Sequence, residues 1–600
     1  MRTMHRLMST ALLLWPLCQT LGAAPAETKP GLDGFDTFME KAMQDFKVPG
    51  AAVAVIQDGK ILFAKGYGYR DAGKKLPVTT KTLFPIASMT KSFTVTALGT
   101  LVDQGRLDWD KPVRDYLPGF RMYDPAATEQ LTTRDMVTHR SGLPRHDLLW
   151  YSSSFTRDQL VDRLRYLENN KPIRSTFQYN NLMFVTAGYL GGKIAGLSWE
   201  DLVRQRVLDP LGMHGTCMSS EEARQHPDYA LPYRKNRKTE EVREIAFSKW
   251  GDVGPAGAIN SNIEDLAQYV LMHVNHGAAG DRRILTRNTS DQMQTPQMVM
   301  QGIPAFKELS ESSYGMGLFI DYYRGHKHVD HGGNLDGFAL DLGFLPNERI
   351  GVVVLTNLDG TALRDLVPYY VYDRLLGLEP VDWSARFLEI EHKAKEQELT
   401  AEKKGYTGQV PGTKPAHPLA EYEGEFEHPG YGKLTVHRAG GADANRLEMT
   451  LNDVHRPLEH FHYDTFQVPA DPLDPFEKLR ISFQTDPQGE VSTASGTFEA
   501  NVKDIVFKRV AERRMFETSF LRQFTGEYDM PGSPLSVSLV GEDALEASFP
   551  GQPPLKLVPR HGTRFDVKEL TGVSLEFKQE GAAQELVLYT PDNAYVIKKK

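Results

Sequence analysis

The apolar residues Phe35, Phe38, Ala42 and Phe46 recur at the three-to-four-residue spacing of one helical face, and Pro49-Gly50 ends the segment. This predicts an opening amphipathic helix from about Leu32. Two apolar runs follow, Ala51–Ile56 and Ile61–Ala64, on either side of Asp58-Gly59, which predicts a β-hairpin. Much later, Phe338–Leu345 and Ile350–Thr356 form a second β pair around Pro346-Asn347, followed by a helical stretch to Leu376 that stops at Gly377. Between these ends, from about Thr82 to Met316, the pattern is helices and loops, such as the Asp135–His139 turn and the Asn262–His273 helix. Strands drawn from both ends of a segment, with a helical insertion between them, predict an α+β domain: an antiparallel sheet flanked by helices plus a helical lobe.

Residues from about Asp382 to Lys404 are charged and helix-prone, and Gly405–Pro418 is rich in Gly and Pro, so this stretch is expected to be a connector and not core. Beyond it the sequence alternates in β fashion and repeats itself. Leu419, Tyr422, Gly424, Phe426, Pro429 and Gly430 correspond at one constant offset of 102 positions to Leu521, Phe524, Gly526, Tyr528, Pro531 and Gly532. Two consecutive small antiparallel β-barrels follow from this, closure being the way to hide the edges of so many short strands. The expected organisation is a leader at residues 1–26, the α+β domain at 27–380, a charged helix and linker at 381–415, and β domains at 416–512 and 513–600.

A chain of 600 residues with 40% hydrophobic side chains is long enough for several cores. Its net charge of -9, with no long Lys/Arg run, excludes the electrostatic footprint of a nucleic-acid binder. Arg2 and Arg6, the apolar stretch Leu7–Leu21 and Ala24-Pro25-Ala26 read as a cleaved secretory signal, because Pro16, Gln19 and Gly22 interrupt what a membrane anchor would need. Cleavage removes Cys18, which follows a bulky Leu17 unsuited to lipid attachment, and leaves Cys217 without an internal disulfide partner. The expected location is the bacterial periplasm or exterior, with no stable membrane span after processing.

Three short motifs carry the chemistry. Ser88-Met89-Thr90-Lys91, preceded by Pro85 and followed by the apolar run Phe93–Leu101, puts Ser88 near a helix N-terminus and Lys91 one turn later on the same face. A partly desolvated lysine there can take the serine proton. By itself the motif also fits an N-cap serine beside a solvated lysine, and Ser-x-x-Lys arises by chance on the order of once in such a chain. Tyr179-Asn180-Asn181, ahead of the apolar run Leu182–Leu190, supplies a phenol for proton transfer and a carboxamide able to bond Lys91 and a substrate carbonyl. In isolation it equally reads as a capping asparagine beside a packed tyrosine. His331-Gly332-Gly333-Asn334 enters the later β run, where glycines on an edge strand let a substrate backbone approach.

In this order the motifs resemble those of the serine β-lactamase and penicillin-binding-protein group, in its class C-like branch. The stretch Leu131–Pro144, Pro210-Leu211-Gly212-Met213 and Pro255-Ala256-Gly257-Ala258 add to the likeness, which spans about Leu32 to Gly377. The resemblance implies that Ser88 forms an acyl-enzyme, that Lys91 and Tyr179 share acid/base work, and that Asn181, His331, Gly332, Gly333 and Asn334 bind substrate. It further implies an oxyanion site at the N–H groups of Ser88 and Asn334, and no cofactor or metal. His-Gly-Gly followed by two barrels is similar to the D-aminopeptidase architecture with its lipocalin-like domains.

A rival reading lies in His326-Lys327-His328-Val329-Asp330-His331, an H-x-H-x-D-H pattern similar to the zinc ligands of metallo-β-lactamase-type hydrolases. That fold needs further ligands downstream, and no histidine follows His331 within the domain. His326 and His328 then fall on an exposed strand or turn, and His460 and His462 on the barrel surface or interior. The family usually has Lys-Thr-Gly where this chain has His331-Gly332-Gly333. An unperturbed histidine, with a pKa of about 6.5, is mostly neutral at pH 7 and grips a carboxylate weakly. The expected activity is a peptidase or amidase on small peptides, D-aminopeptidase-like in stereochemistry. A carboxylesterase or weak β-lactamase is the alternative, and a non-catalytic ligand-binding protein is the remote one.

Overall fold

The computed structural model describes residues 31–247, 253–403, 408–440, 445–499, 502–530, 533–580 and 583–600. The expected signal segment, with Cys18, lies outside these residues, as do repeat positions Pro531 and Gly532.

The opening helix is Phe35–Phe46, with Phe35, Met39, Ala42, Met43 and Phe46 buried. Behind it Gly50–Gln57 pairs on one side with Lys60–Asp71 and on the other with Ile350–Thr356, so Val53 lies between Lys65 and Val354. The two ends of the domain thus close one antiparallel sheet, as the hydrophobic pattern predicts. The second strand runs on to Asp71 instead of stopping at Ala64. From Ile350–Thr356 the nine-stranded sheet continues through Phe338–Leu345, His326–Leu335 and Phe319–Tyr323 to two short outer strands. Ile350–Thr356 and Phe338–Leu345 are buried at every position because helices cover both faces. One face carries Phe35–Phe46 and Leu363–Leu375, and the other packs on Ile263–Val274 of the helical lobe. At the lobe's centre Thr90–Asp103 is buried from Thr90 through Leu101, on all sides rather than one.

The charged segment proves to be a 21-residue helix, Trp383–Lys403. Its start is core and not connector. Trp383 is 1% exposed, packs edge-on against Phe306 at 5.2 Å, and donates its indole N–H to Asp373 at 3.0 Å. A single tryptophan at the head of a polar helix gives no periodicity, which is why the sequence pattern misses it.

Each repeat is a closed eight-stranded antiparallel barrel. The first closes where Gly424–His428 meets Ile505–Val510, and the second where Gly526–Asp529 meets Ala594–Lys599. The repeat-related Phe426 and Tyr528 sit on the two first strands and are both fully buried. The barrels differ in attachment. The first shares one apolar cluster with the α+β domain, whereas the second keeps its own.

The first barrel grips the segment that follows Pro144. The amide of Asn452 donates to the carbonyls of Leu148 at 3.1 Å, Leu149 at 3.4 Å and Tyr151 at 3.2 Å. The His146 N–H donates to Glu499 at 2.8 Å, and His146 Nδ1 is hydrogen-bonded to the Tyr431 hydroxyl at 2.8 Å. Arg163 reaches the carbonyls of Pro429 and Gly430 at 2.7 and 2.9 Å.

Candidate active site

Ser88 lies in a single 3-10 turn, Ala87–Met89, that leads into the Thr90–Asp103 helix. Ala87 has φ of 48°, a left-handed conformation that a non-glycine residue adopts only when its surroundings impose it. One turn further, Lys91 Nζ donates to Ser88 Oγ at 3.0 Å and to the carbonyl of Ala256 at 2.8 Å. Both acceptors are uncharged, and Lys91 is completely buried. Burial, with added repulsion from Arg145, holds its amine well below the usual lysine range, against a weaker opposite pull from Asp147. An amine so placed can accept the proton of Ser88.

Tyr179 is hydrogen-bonded to Ser88, and Lys91 Nζ sits 4.8 Å from the centre of its ring. Burial raises the phenol above its ordinary value, so it keeps its proton, while Ser88 and Arg145 act the other way. The capping asparagine is Asn180: its Oδ1 accepts from Met183 N at 2.9 Å and starts the Asn181–Ala195 helix. This leaves Asn181 free for the cleft, but its amide donates to Asp147 at 3.0 Å instead of reaching Lys91. The cap is thus Asn180, and Asn181, the asparagine of the Tyr-x-Asn motif, lines the cleft.

His331-Gly332-Gly333-Asn334 forms the open end of the His326–Leu335 strand. The neighbouring strand ends with Phe319 opposite Asp330, so among the described residues the edge beyond it has no strand partner. A β-carbon on Gly333 would stand 2.5 Å from the Ile86 carbonyl oxygen, so only glycine lets this edge lie against the turn that bears Ser88. The His331 ring is 1% exposed and turns away from solvent. Its Nδ1 lies 2.8 Å from the Gly332 carbonyl, which can only accept, so Nδ1 carries the proton and Nε2 accepts from the Tyr314 hydroxyl at 3.1 Å. Burial, then Lys91, lowers its pKa to about 3. The histidine in the Lys-Thr-Gly position is therefore a neutral, hydrogen-bonded member of an aromatic cluster with Tyr314 and Phe319.

Strand alternation also disperses the H-x-H-x-D-H pattern, since His328 and Asp330 share one face and His331 lies on the other. His326 bonds Glu348 at 2.7 Å and His328 bonds Asp321 at 2.9 Å. His328 is 5% exposed, not the exposed strand position expected of it. The strand Phe319–Tyr323 and the Leu363–Leu375 helix cover it, and neither contact is written in its own segment.

Ser88, Tyr179, Asn181, His331, Gly332 and Asn334 line one cleft of about 720 Å³. Four residues outside the three short motifs line or support it. Arg145 and Asp147, paired at 2.7 Å, come from the segment gripped by the first barrel, and Arg145 stands 4.9 Å from the Tyr179 ring. His139 accepts the Asn180 N–H at 3.0 Å and backs Tyr179 with ring centres 4.2 Å apart. Ala256 supplies the carbonyl on Lys91. His139 and Ala256 lie inside stretches that already stood out, but Arg145 and Asp147 carry no sequence signal. The cleft is acidic: the aspartates at its wall include Asp336 and Asp359, both bound by Arg234 at 2.6 and 2.7 Å, and Asp365, paired with Arg364 at 3.4 Å.

The β-lactamase family profile matches residues 35–375, and a domain of unknown function, DUF3471, matches residues 408–509. A protein of Aspergillus campestris named unguisins hydrolase ungD′ is 30% identical over 436 residues, covering 67% of this chain and 77% of the relative. Its counterpart in Aspergillus violaceofuscus is 28% identical over 451 residues, covering 69% and 78%. The octameric penicillin-binding protein homologue from Pyrococcus abyssi superposes with a TM-score of 0.52 at 24% identity, over 80% of this chain and all of the other. With the fold, the motifs and the match over more than half its length in agreement, the chain belongs to the β-lactamase family of serine hydrolases.

Proposed function

We propose that the protein is an exported peptidase or amidase that acts on small peptides through an acyl-enzyme on Ser88. The observation that carries this reading is Lys91, buried, depressed in pKa and 3.0 Å from Ser88 Oγ. As Ser88 Oγ attacks the acyl carbon, its proton passes to the Lys91 amine and the carbonyl π electrons move onto oxygen. The N–H groups of Ser88 and Asn334 receive that oxyanion. Collapse expels the leaving group, which takes a proton from Tyr179, whose raised pKa keeps it protonated until then. Water then attacks the acyl-enzyme with the same groups acting in reverse and frees Ser88.

The substrate preference rests on charge. His331 offers no cation to a substrate carboxylate, and the two arginines of the cleft wall are matched with Asp147 and Asp365. This favours amides without a required carboxylate over β-lactams, and D-aminopeptidase-like turnover fits the same arrangement. The similarity to proteins named as unguisins hydrolases supports a hydrolytic activity.

The test is a panel of D- and L-aminoacyl amides, short esters and a chromogenic cephalosporin, run on wild type and Ser88→Ala with a chelator present. Amide turnover that survives chelation and vanishes in Ser88→Ala, with covalent labelling of Ser88, supports the reading. Cephalosporin or ester turnover faster than that of any amide would replace it with a β-lactamase or esterase. Export is tested by sequencing the N-terminus of the protein recovered outside the cytoplasm, where cleavage near Ala26 is expected.

A further inference from the structure

Tyr179 gives up a proton in the reaction assigned to Ser88, and the negative charge that then develops on its oxygen calls for a cation nearby. His139, whose ring centre is 4.2 Å away, and His331, at 6.3 Å, are neutral at pH 7, since burial holds the first well below the usual histidine range and takes the second to about 3. Tyr314, buried behind them, keeps its proton. Lys91 Nζ lies 4.8 Å from the ring centre, but it is uncharged whenever it serves as the base. Arg145 is the remaining cation at this ring among the described residues. Its guanidinium carbon stands 4.9 Å from the ring centre, within the range of about 6 Å over which a cation is attracted to an aromatic face.

The local structure aims Arg145 at that place. Its Nε donates to Asp147 Oδ2 at 2.7 Å, while Asp147 Oδ1 accepts from the Asn181 amide at 3.0 Å and the Trp150 indole at 2.9 Å. The carboxylate is thereby fixed through both oxygens, and with it the guanidinium over Tyr179. His146, between the two, has φ of 50°, a left-handed turn that the first barrel pins through Glu499 and Tyr431. Beneath the dominant effect of burial, Arg145 disfavours the ammonium on Lys91 and favours the phenolate on Tyr179, and Asp147 opposes it more weakly at both.

We propose that Arg145 is a positioning residue of the reaction, the cation that stabilises Tyr179 as a phenolate while an amide leaving group departs. This rests on the acyl-enzyme reading of Ser88. As the C–N bond breaks, its electron pair stays on nitrogen, the Tyr179 hydroxyl proton moves to that nitrogen, and the phenolate oxygen keeps the O–H pair. The phenolate lasts through the acyl-enzyme and is discharged by a proton from the attacking water, whose hydroxyl joins the acyl carbon. Ser88 then recovers its proton from Lys91. Arg145 acts through Tyr179 in both halves. Its charge therefore matters most for leaving groups too basic to depart unprotonated, which sets amides apart from activated esters.

The experiment measures kcat/KM for one acyl group on leaving groups of rising basicity, from the 4-nitrophenyl ester through ring-substituted anilides to an alkyl amide. Wild type, Arg145→Gln and Arg145→Lys are compared, each on the plateau of its own pH profile. Arg145→Gln is expected to lose about tenfold on the alkyl amide and less than about twofold on the 4-nitrophenyl ester. Arg145→Lys keeps the charge and is expected to hold an amide-to-ester ratio nearer that of wild type. The acid limb of kcat/KM should also move to higher pH in Arg145→Gln, because the guanidinium no longer repels the Lys91 ammonium. The Arg145 side chain is 49% exposed, so an unfolding temperature close to that of wild type is expected and verifies the fold. An equal loss along the series, no loss at all, an acid limb that does not rise, or an Arg145→Lys ratio no better than that of Arg145→Gln overturns the role of Arg145 and leaves the Ser88 reading intact. Failure of wild type to acylate Ser88 overturns both.

Discussion

The backbone of Gly333 lies against that of Ile86 so closely that a β-carbon would stand 2.5 Å from the Ile86 carbonyl oxygen. The two segments come from opposite ends of the domain, one an open strand edge and the other the turn that delivers Ser88. Their contact fixes the distance between the nucleophile and the edge on which a substrate backbone would lie. Gly333→Ala must therefore push the edge and the turn apart by several tenths of an ångström. The expected result is a fall in kcat/KM on the order of a hundredfold with little change in unfolding temperature, since the strain is local. Steady-state kinetics and calorimetry on the same preparation would reveal it.

Burying the Lys91 amine costs the fold stability. Its folded pKa lies below the unfolded value of 10.5, so below that pH the unfolded chain binds the extra proton and gains relative to the native state. Lys91→Met removes that penalty. Activity should drop by about 10² to 10⁴, while the unfolding temperature at pH 7 rises. In wild type, kcat/KM is expected to climb with pH as the Lys91 amine loses its proton, and this acid limb should be missing from the residual activity of the variant.

Buried histidines set the acid stability. His273 and His331 have folded pKa values of about 3 and His146 about 4, all lowered chiefly by burial from 6.5. A lowered folded value means that the unfolded state takes up the proton first. The stability is therefore complete above pH 6.5 and is lost as pH falls from there toward 3 to 4, at about 1.4 kcal/mol per pH unit for each group. Among the described residues His273 has no partner for either ring nitrogen; it stacks on Phe344 at 5.5 Å and is not part of the cleft lining. His273→Leu should flatten the decline in unfolding temperature between pH 6 and pH 4 and leave the kinetics at pH 7 alone.

The first barrel acts on the cleft through Asn452. Its amide holds three carbonyls of the segment that bears Arg145, Asp147 and Tyr151. Asn452→Ala releases that rim without touching the cleft. A rise in KM of about tenfold is expected, with faster amide exchange confined to residues near 146–152. Unchanged KM and exchange would show that the barrel merely adjoins the domain.

Several features could be read before any fold was known, and they share a cause. The Ser88–Lys91 spacing fixes one helical turn, Asp58-Gly59 fixes a hairpin, and the 102-residue offset of Phe426 and Tyr528 fixes two like barrels, because each depends only on near neighbours or on repetition. The resemblance carried the order of the motifs in the same way.

What the tertiary structure decided is everything that depends on segments distant in sequence. Lys91 is a base because the Ala256 carbonyl and a closed core surround it, not because lysine follows serine by three. His331 is neutral because Tyr314 and burial make it so, and Trp383 is core because Phe306 and Asp373 come to meet it. Sequence alone determined which side chains were on hand and how adjacent turns would form. Burial and long-range pairing determined their charge and their partners, since desolvation and Coulomb energies depend on what surrounds a group in space.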